Sequence, residues 1–169
     1  MPLVKDRKIV EDRWTHVADG EDIPNGADAI VSAERWIAER ASLVHRNGGI
    51  GVRLRNDRKI EDVAEDLYRF GVVALEFPAF KDGRAYTQAR LLRERYRFEG
   101  EVRAFGDVLR DQLLFMHRCG IDAFEIRKQA DAEAFEGAVN EISVFYQPAS
   151  DSGTPVTALR QRALASWAY

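Results

Sequence analysis

Four charged residues stand inside apolar, strand-like runs of the sequence, and their types are suited to binding an anion. They are Arg53, Glu76, Arg103 and Glu125, each flanked on both sides by apolar residues. Their signs alternate, and the intervals between them are 23, 27 and 22 residues. Guanidinium groups bind oxyanions through charge-assisted hydrogen bonds. We call these four residues the charge ladder, and they form the first candidate lining of a ligand pocket.

The same alternation has a structural interpretation. If consecutive strands are neighbours in a parallel sheet, the ladder residues share one face and each lies beside an opposite charge. On a covered face such pairing is close to obligatory, because unpaired buried charges are strongly destabilising. The face that carries the ladder must then be filled by an N-terminal hairpin, by a second subunit or by a ligand.

A second candidate anion site is the turn Lys81-Asp-Gly-Arg84, which lies between the end of a predicted strand and the start of a predicted helix. Free N–H groups at a helix start, together with the cations Lys81 and Arg84, could bind a phosphate, a sulfate or a carboxylate. The alternative is that Asp82 caps the helix and both cations are solvated.

Three arginines of the next predicted helix, Arg90, Arg93 and Arg97, lie on overlapping faces and could dock an acidic partner. The alternative is a solvated face on which Glu94 and Glu99 make weak local ion pairs. The formal net charge of -3 argues against nucleic acid as the partner.

Other chemistry is not indicated by the residues. The one cysteine, Cys119, follows a predicted helix and is expected to be a buried apolar residue, and the three histidines are scattered. No spacing suggests a metal site, and no nucleotide-binding loop is present. The sequence therefore predicts no metal centre and shows no evident cofactor.

The elements that position these residues alternate between apolar runs and amphipathic stretches. The apolar runs are Ile50–Leu54, Val72–Phe77, Glu101–Phe105, Ala123–Ile126 and Ile142–Tyr146. The amphipathic stretches between them are Ile60–Phe70, Arg84–Tyr96, Val108–Arg118 and Ala132–Val139. An earlier helix is predicted from Ala33 to Arg46, capped by Ser32, after an irregular connection over residues 15–31. This alternation predicts an α/β protein with right-handed crossovers.

The predicted organisation is one α/β domain over residues 1–169, with a hairpin at 1–14, βα repeats at 50–147 and a C-terminal helix at 157–169. Five mainly parallel strands in sequential order would form an open, half-(β/α)-barrel-like sheet, as the charge ladder favours. The alternative is a doubly wound order, in which the ladder is broken at the switch point.

Composition sets broader limits. A chain of 169 residues with 46% hydrophobic and 31% charged residues is expected to be globular and soluble. No apolar run approaches the roughly 20 residues that a membrane span needs. The amino terminus shows no signal-peptide pattern and a single cysteine allows no intrachain disulfide, so we expect a cytoplasmic protein.

The segment from Phe77 to Gly100, continuing through residues 101–113 to Cys119–Glu125, resembles a bacterial family, DUF934. The resemblance runs from the N-terminal hairpin to about Gln147. Members of that family are commonly encoded beside the sulfite reductase haemoprotein, so the resemblance implies a role, such as that of an oxidoreductase, in sulfite reduction. It implies no catalytic residues.

Three hypotheses of function follow. The first is an accessory or binding protein of assimilatory sulfate and sulfite reduction that supports sulfite reductase. The second is a small enzyme, such as an oxidoreductase, acting on an anionic sulfur or phosphate metabolite in a pocket lined by the charge ladder. The third is a homodimer whose interface uses the ladder and the arginine helix.

Overall fold

The computed structural model describes residues 1–5, 8–79, 81–127, 145–146, 148–150 and 154–166. Within these residues, eight strands form one sheet, in the order β2-β1-β8-β7-β6-β5-β4-β3. The strands are β1 (Leu3–Lys5), β2 (Lys8–Val10), β3 (Trp14–His16), β4 (Asp28–Ser32), β5 (Ile50–Leu54), β6 (Val72–Phe77), β7 (Glu101–Gly106) and β8 (Ala123–Glu125). Strands β3 to β8 are parallel neighbours in chain order, and the β1–β2 hairpin adds antiparallel to β8.

The sequential order is confirmed, and the doubly wound alternative is wrong. The predicted number of five strands is also wrong, since the described residues contain eight. Strands β3 and β4 fall within or beside the segment expected to be irregular, because the Asp- and Gly-rich residues between them obscure two short strands. The predicted run Ile142–Tyr146 lies largely outside the described residues, as does the predicted helix Ala132–Val139.

Helices follow most of the parallel strands, although several are shorter or tighter than the apolar pattern suggests. The described helices are α1 (Ala33–Leu43), two 3₁₀ helices (Ile60–Asp62 and Ala64–Arg69), α2 (Arg84–Arg90) with a π-helical extension (Leu91–Arg95), a 3₁₀ turn (Arg110–Gln112), α3 (Leu113–Arg118) and α4 (Val156–Ser166). The cap of α1 is as predicted: Ser32 Oγ accepts a hydrogen bond of 3.0 Å from the Arg35 N–H.

The sheet separates an apolar face from a charged one. Register pairs place Val52, Val73 and Val102 on one face, where they are buried in the main hydrophobic core with residues of the helices such as Trp36 and Leu92. The opposite face has a smaller apolar cluster around Trp14 and carries the charged side chains.

The sheet is strongly curled. Its two edge strands, β2 and β3, are joined by residues 11–13 only. From Val10 to Trp14 the chain can span at most about 14 Å, whereas eight strands in a flat sheet would extend over about 34 Å. The edges must therefore approach each other, and the charged face becomes the concave inside of a half-barrel, with the helices outside.

No helix among the described residues is both long and apolar enough to cross a bilayer.

Candidate functional site

The four residues of the charge ladder share the concave face, as predicted. Arg53 is in register with Ala74 of β6, and Ala74 is in register with Arg103 of β7. Arg103 and Glu125 form the expected pair of opposite charges, at 3.1 Å. The expected pairings of Glu76 were wrong, because it lies two residues farther along β6 and is in register with Phe105. This offset divides the ladder into a buried pair and a pair that lines an open cleft.

Arg103 is the centre of the buried part. Its side chain is 0% exposed, and its guanidinium donates to three carboxylates: Asp12 at 2.7 and 3.0 Å, Glu101 at 2.8 Å and Glu125 at 3.1 Å. Burial works against the charged form, but the hydrogen bonds and charges of Asp12 and Glu101 outweigh it and raise the pKa of Arg103. Arg103 is a structural ion, fully occupied by protein groups.

Glu125 connects this cluster to the opposite edge of the sheet. Its Oε1 lies 2.7 Å from Nε2 of His16 on β3, and the His16 ring packs against Phe105 at 5.4 Å between centroids. Burial alone would raise the pKa of Glu125, but His16 and Arg103 together outweigh burial and lower it.

The segment from residue 11 to residue 19, which we call the N-terminal strap, covers the concave face. It supplies Asp12, Trp14, His16 and Asp19 to that face. From the sequence we expected the face that carries the ladder to be covered, and the N-terminal hairpin was one candidate for the cover. The hairpin was predicted at 1–14 but ends at Val10, so Asp12 and Trp14 of the predicted range belong to the cover, together with His16 and Asp19 beyond it.

One end of the concave face remains open. A cleft of about 290 Å³ lies beside the carboxyl ends of β4 to β7, the end at which (β/α) barrels place their active sites. Its lining residues are Asp19, Ser32, Glu34, Arg53, Arg55, Glu76 and Phe105. We call it the upper cleft and regard it as the candidate functional site.

In the described part of the chain, Arg53 is one of the two arginines that line the upper cleft, with Arg55. Its side chain is 30% exposed, and its Nη2 lies 3.6 Å from Asp19 Oδ1, a loose ion pair. Asp19 is held in place because Ser32 Oγ donates to the same oxygen at 2.7 Å. The Arg53 guanidinium therefore keeps donors that can face the cleft.

Glu76 is the carboxylate of the upper cleft that has no partner among the described residues. It is half-buried, and within the described part of the chain it makes no hydrogen bond or ion pair of 4.0 Å or less. Glu34, in the first turn of α1, also lines the cleft but has a partner, since Arg58 donates a hydrogen bond of 2.8 Å to it. Burial alone would raise the pKa of Glu34, but hydrogen bonds from the backbone and from Arg58 outweigh it and lower the pKa.

In the turn from Lys81 to Arg84, the arginine is paired with an aspartate of the same turn. Arg84 makes a two-pronged pair with Asp82, at 3.0 Å from Nε and 2.6 Å from Nη2. These hydrogen bonds lower the pKa of Asp82 to about 2. Lys81 is exposed. The structure brings neither cation to the lining of the upper cleft.

The three arginines proposed for docking have different surroundings. Arg93 points inward and donates to the carbonyls of Gly120 at 3.0 Å and Gly100 at 2.9 Å, and also to Phe98 O and the Asp122 carboxylate. Arg90 is exposed and pairs with Glu94 one helical turn away, and Arg97 is exposed. Arg97 was expected on the helix but lies two residues beyond its last residue, Arg95, with a positive φ of 53°. A docking surface here would therefore rest on Arg90 of the helix and on Arg97 of the loop that follows.

Metal chemistry has no evident site in the described residues. No group of three or more histidine, cysteine or acidic side chains among them is arranged to hold an ion. Cys119 is buried, and burial raises the pKa of its thiol.

Sequence reasoning missed Asp12, His16 and Asp19. Asp12 lies inside the hairpin predicted at 1–14, of which the structure forms only the strands β1 and β2, and His16 and Asp19 lie in the stretch expected to be irregular. Their partners lie up to 109 residues away. The ladder itself indicated that partners must exist, because charges on a covered face need them. It did not indicate which residues those partners are.

Comparison with curated proteins and with solved structures returns no match. A family model described as "Bacterial protein of unknown function (DUF934)" matches residues 51–157, which is more than half of the 169 residues. The match begins at Gly51, after the hairpin and the strap, and runs beyond Gln147, so its range differs from that of the expected resemblance. The chain is a member of the DUF934 family.

Proposed function

We propose that this protein is an accessory or binding protein of assimilatory sulfite reduction, which supports sulfite reductase and binds a small ligand with an anionic group in the upper cleft. The observation that carries the binding part is the partly exposed Arg53 guanidinium at the carboxyl ends of the parallel strands. The connection to sulfite reduction rests on the family resemblance.

Three of the proposed ligand or docking residues have structural roles in this proposal. Arg103 is wholly buried against three carboxylates, Glu125 is buried against His16 and Arg103, and Arg93 holds backbone carbonyls. The ligand is therefore assigned to Arg53 and Glu76. Lys81 and Arg84 are left outside the binding site because they do not line the upper cleft.

The enzyme hypothesis is retained as a second candidate, because Glu76 has no partner within the described part of the chain and could accept a proton from a bound ligand. In that case Glu76→Gln should abolish turnover while the unfolding free energy changes little. The homodimer hypothesis is less well supported, because the strap of the same chain already covers Arg103 and Glu125, the buried pair of the ladder.

The first test is genetic. A strain lacking this gene, supplied with sulfate as the sole sulfur source, should grow poorly, and cysteine should restore its growth. The wild-type gene should complement the defect, Arg53→Gln should not, and the exposed control Arg97→Gln should behave as wild type. Sulfite reductase should be present at normal abundance and should co-purify with the tagged protein. Growth of the deletion strain equal to that of the wild type would refute this proposal.

A further inference from the structure

The upper cleft has one carboxylate more than its protein contacts neutralise. Glu34 is paired with Arg58, Arg55 lies between Asp57 and Glu34, and Asp19 lies against Arg53 and Ser32. Glu76 is left without a partner among the described residues, on the strand next to Arg53.

We infer that the ligand of the upper cleft is a small zwitterion of the α-amino acid class, with its carboxylate on Arg53 and its ammonium group on Glu76. The inference rests on the proposed function only in using the same cleft and the same arginine. It adds the second charged group of the ligand, and hence its chemical class.

Charge balance favours a zwitterion over a simple anion. Sulfate or sulfite on Arg53 would bring further negative charge into a cleft that already contains Asp19, Glu34 and Glu76. An ammonium group beside Glu76 removes that repulsion and supplies the hydrogen-bond donors that this carboxylate lacks. A site of this kind rejects simple anions because the repulsive group is built in.

The positions of the two residues suit a ligand with two charged ends. Glu76 lies two residues beyond Ala74, the register partner of Arg53, so the two residues are diagonal neighbours on adjacent strands. Their Cα atoms are about 8 Å apart by ordinary sheet geometry. Arg53 and Glu76 do not form an ion pair within 4.0 Å, which leaves room for a ligand between the two charges.

The size and wall of the cleft also limit the ligand. A volume of about 290 Å³ is at the lower end for ligand sites, and it suits an amino acid rather than a nucleotide. Phe105 forms the apolar part of the lining, so a short side chain is expected to lie against its ring.

The test is isothermal titration calorimetry of the full-length protein with matched probes. L-alanine carries both charges, propionate lacks the ammonium group, and sulfite and sulfate are simple anions. We expect L-alanine to bind at least about tenfold more tightly than propionate. Glu76→Gln should abolish that preference, and Arg53→Gln should remove binding of both probes. Glu99→Gln, which changes an exposed carboxylate outside the cleft, should leave the preference unchanged.

The outcomes separate this inference from the proposed function. Arg53-dependent binding of sulfite or sulfate with no preference for L-alanine overturns the zwitterion and leaves the anion-binding proposal standing. Glu76-dependent binding of L-alanine without sulfite binding supports the zwitterion and removes sulfite as the ligand. No binding of any probe up to about 10 mM overturns both assignments. A preference for L-alanine that persists in Glu76→Gln overturns the assigned role of Glu76.

Discussion

His16 Nε2 and Glu125 Oε1 lie 2.7 Å apart, although the two residues are 109 positions apart in the chain. They belong to β3 and β8, between which four other strands lie in the sheet. A contact between such strands is possible only because the sheet curls until its concave face closes on itself. The contact thus joins the N-terminal strap to the far side of the half-barrel, and Arg103 and Glu125, which are 0% and 5% exposed, lie under that strap.

Replacing Arg103 by alanine should strongly destabilise the protein. The change leaves Asp12, Glu101 and Glu125 facing one another without their shared cation, and breaking a buried ion pair in this way costs about 3–5 kcal/mol. Urea denaturation followed by circular dichroism gives the unfolding free energy. Arg110→Ala, at an exposed position, should change it by less than about 0.5 kcal/mol. Equal losses in the two variants would show that the cluster is not a structural centre.

The stabilising effect of Glu125 should depend on pH. Its pKa is lower in the folded protein than the ordinary value of 4.5. Such a group stabilises the folded state above the unfolded-state pKa, and this contribution is lost as the pH falls through the folded-state pKa. The difference in unfolding free energy between the wild type and Glu125→Gln should therefore be largest above pH 4.5 and shrink below it. A difference that stays constant from neutral to acidic pH would contradict the lowered pKa.

Arg93 and Arg90 provide a matched pair on one helix. Arg93→Ala removes hydrogen bonds to Gly120 and Gly100 and the contact with Asp122. We expect a loss of about 2–4 kcal/mol, since several charge-assisted bonds and buried carbonyls are involved. Arg90→Ala removes only an exposed pair with Glu94 and should cost less than about 1 kcal/mol. Thermal denaturation of both variants tests this order, and a smaller loss for Arg93→Ala would reverse the assignment.

Gly71 is expected to be required by the strap. A methyl group at Gly71 would lie 2.8 Å from Trp14 Cζ2 and 2.9 Å from Trp14 Cη2, so Gly71→Ala should destabilise by about 1–3 kcal/mol. Trp14→Phe removes those two atoms, and the cost of Gly71→Ala should be smaller in that background. A double-mutant cycle of unfolding free energies measures the coupling. Strictly additive losses would mean that the Trp14 ring is not the obstacle.

The part of the fold that follows from local patterns was predictable. The bounds Ile50–Leu54 and Val72–Phe77 agree with β5 and β6, because continuous apolar runs ended by turn residues are typical of parallel strands. The shared face of Arg53 and Arg103 followed from the strand period of two. Strand β3 has only three residues and no apolar run of its own, so its place depends on its tertiary partners.

The candidate site was predictable only in part. Arg53 and Glu76 could be assigned to one face, but a two-residue offset between strands decides which charges meet, and local sequence does not determine that offset. The role of Arg93 was missed for a related reason. Its acceptors include a backbone carbonyl 27 residues away. Because every residue has a backbone carbonyl, a pattern of side chains does not indicate which one accepts a hydrogen bond.

The β1–β2 hairpin is synthesised well before β8, the strand with which it pairs in the sheet. Strand β1 pairs on one side with β2 and on the other side with β8, through contacts such as Val4 with Phe124. At ordinary translation rates, β8 emerges roughly 6 to 24 seconds after β1. Throughout that interval one edge of β1, the strap and its charged side chains lack their final partners. The nascent chain thus presents an unpaired strand edge during its own synthesis, where a chaperone can bind before the half-barrel closes.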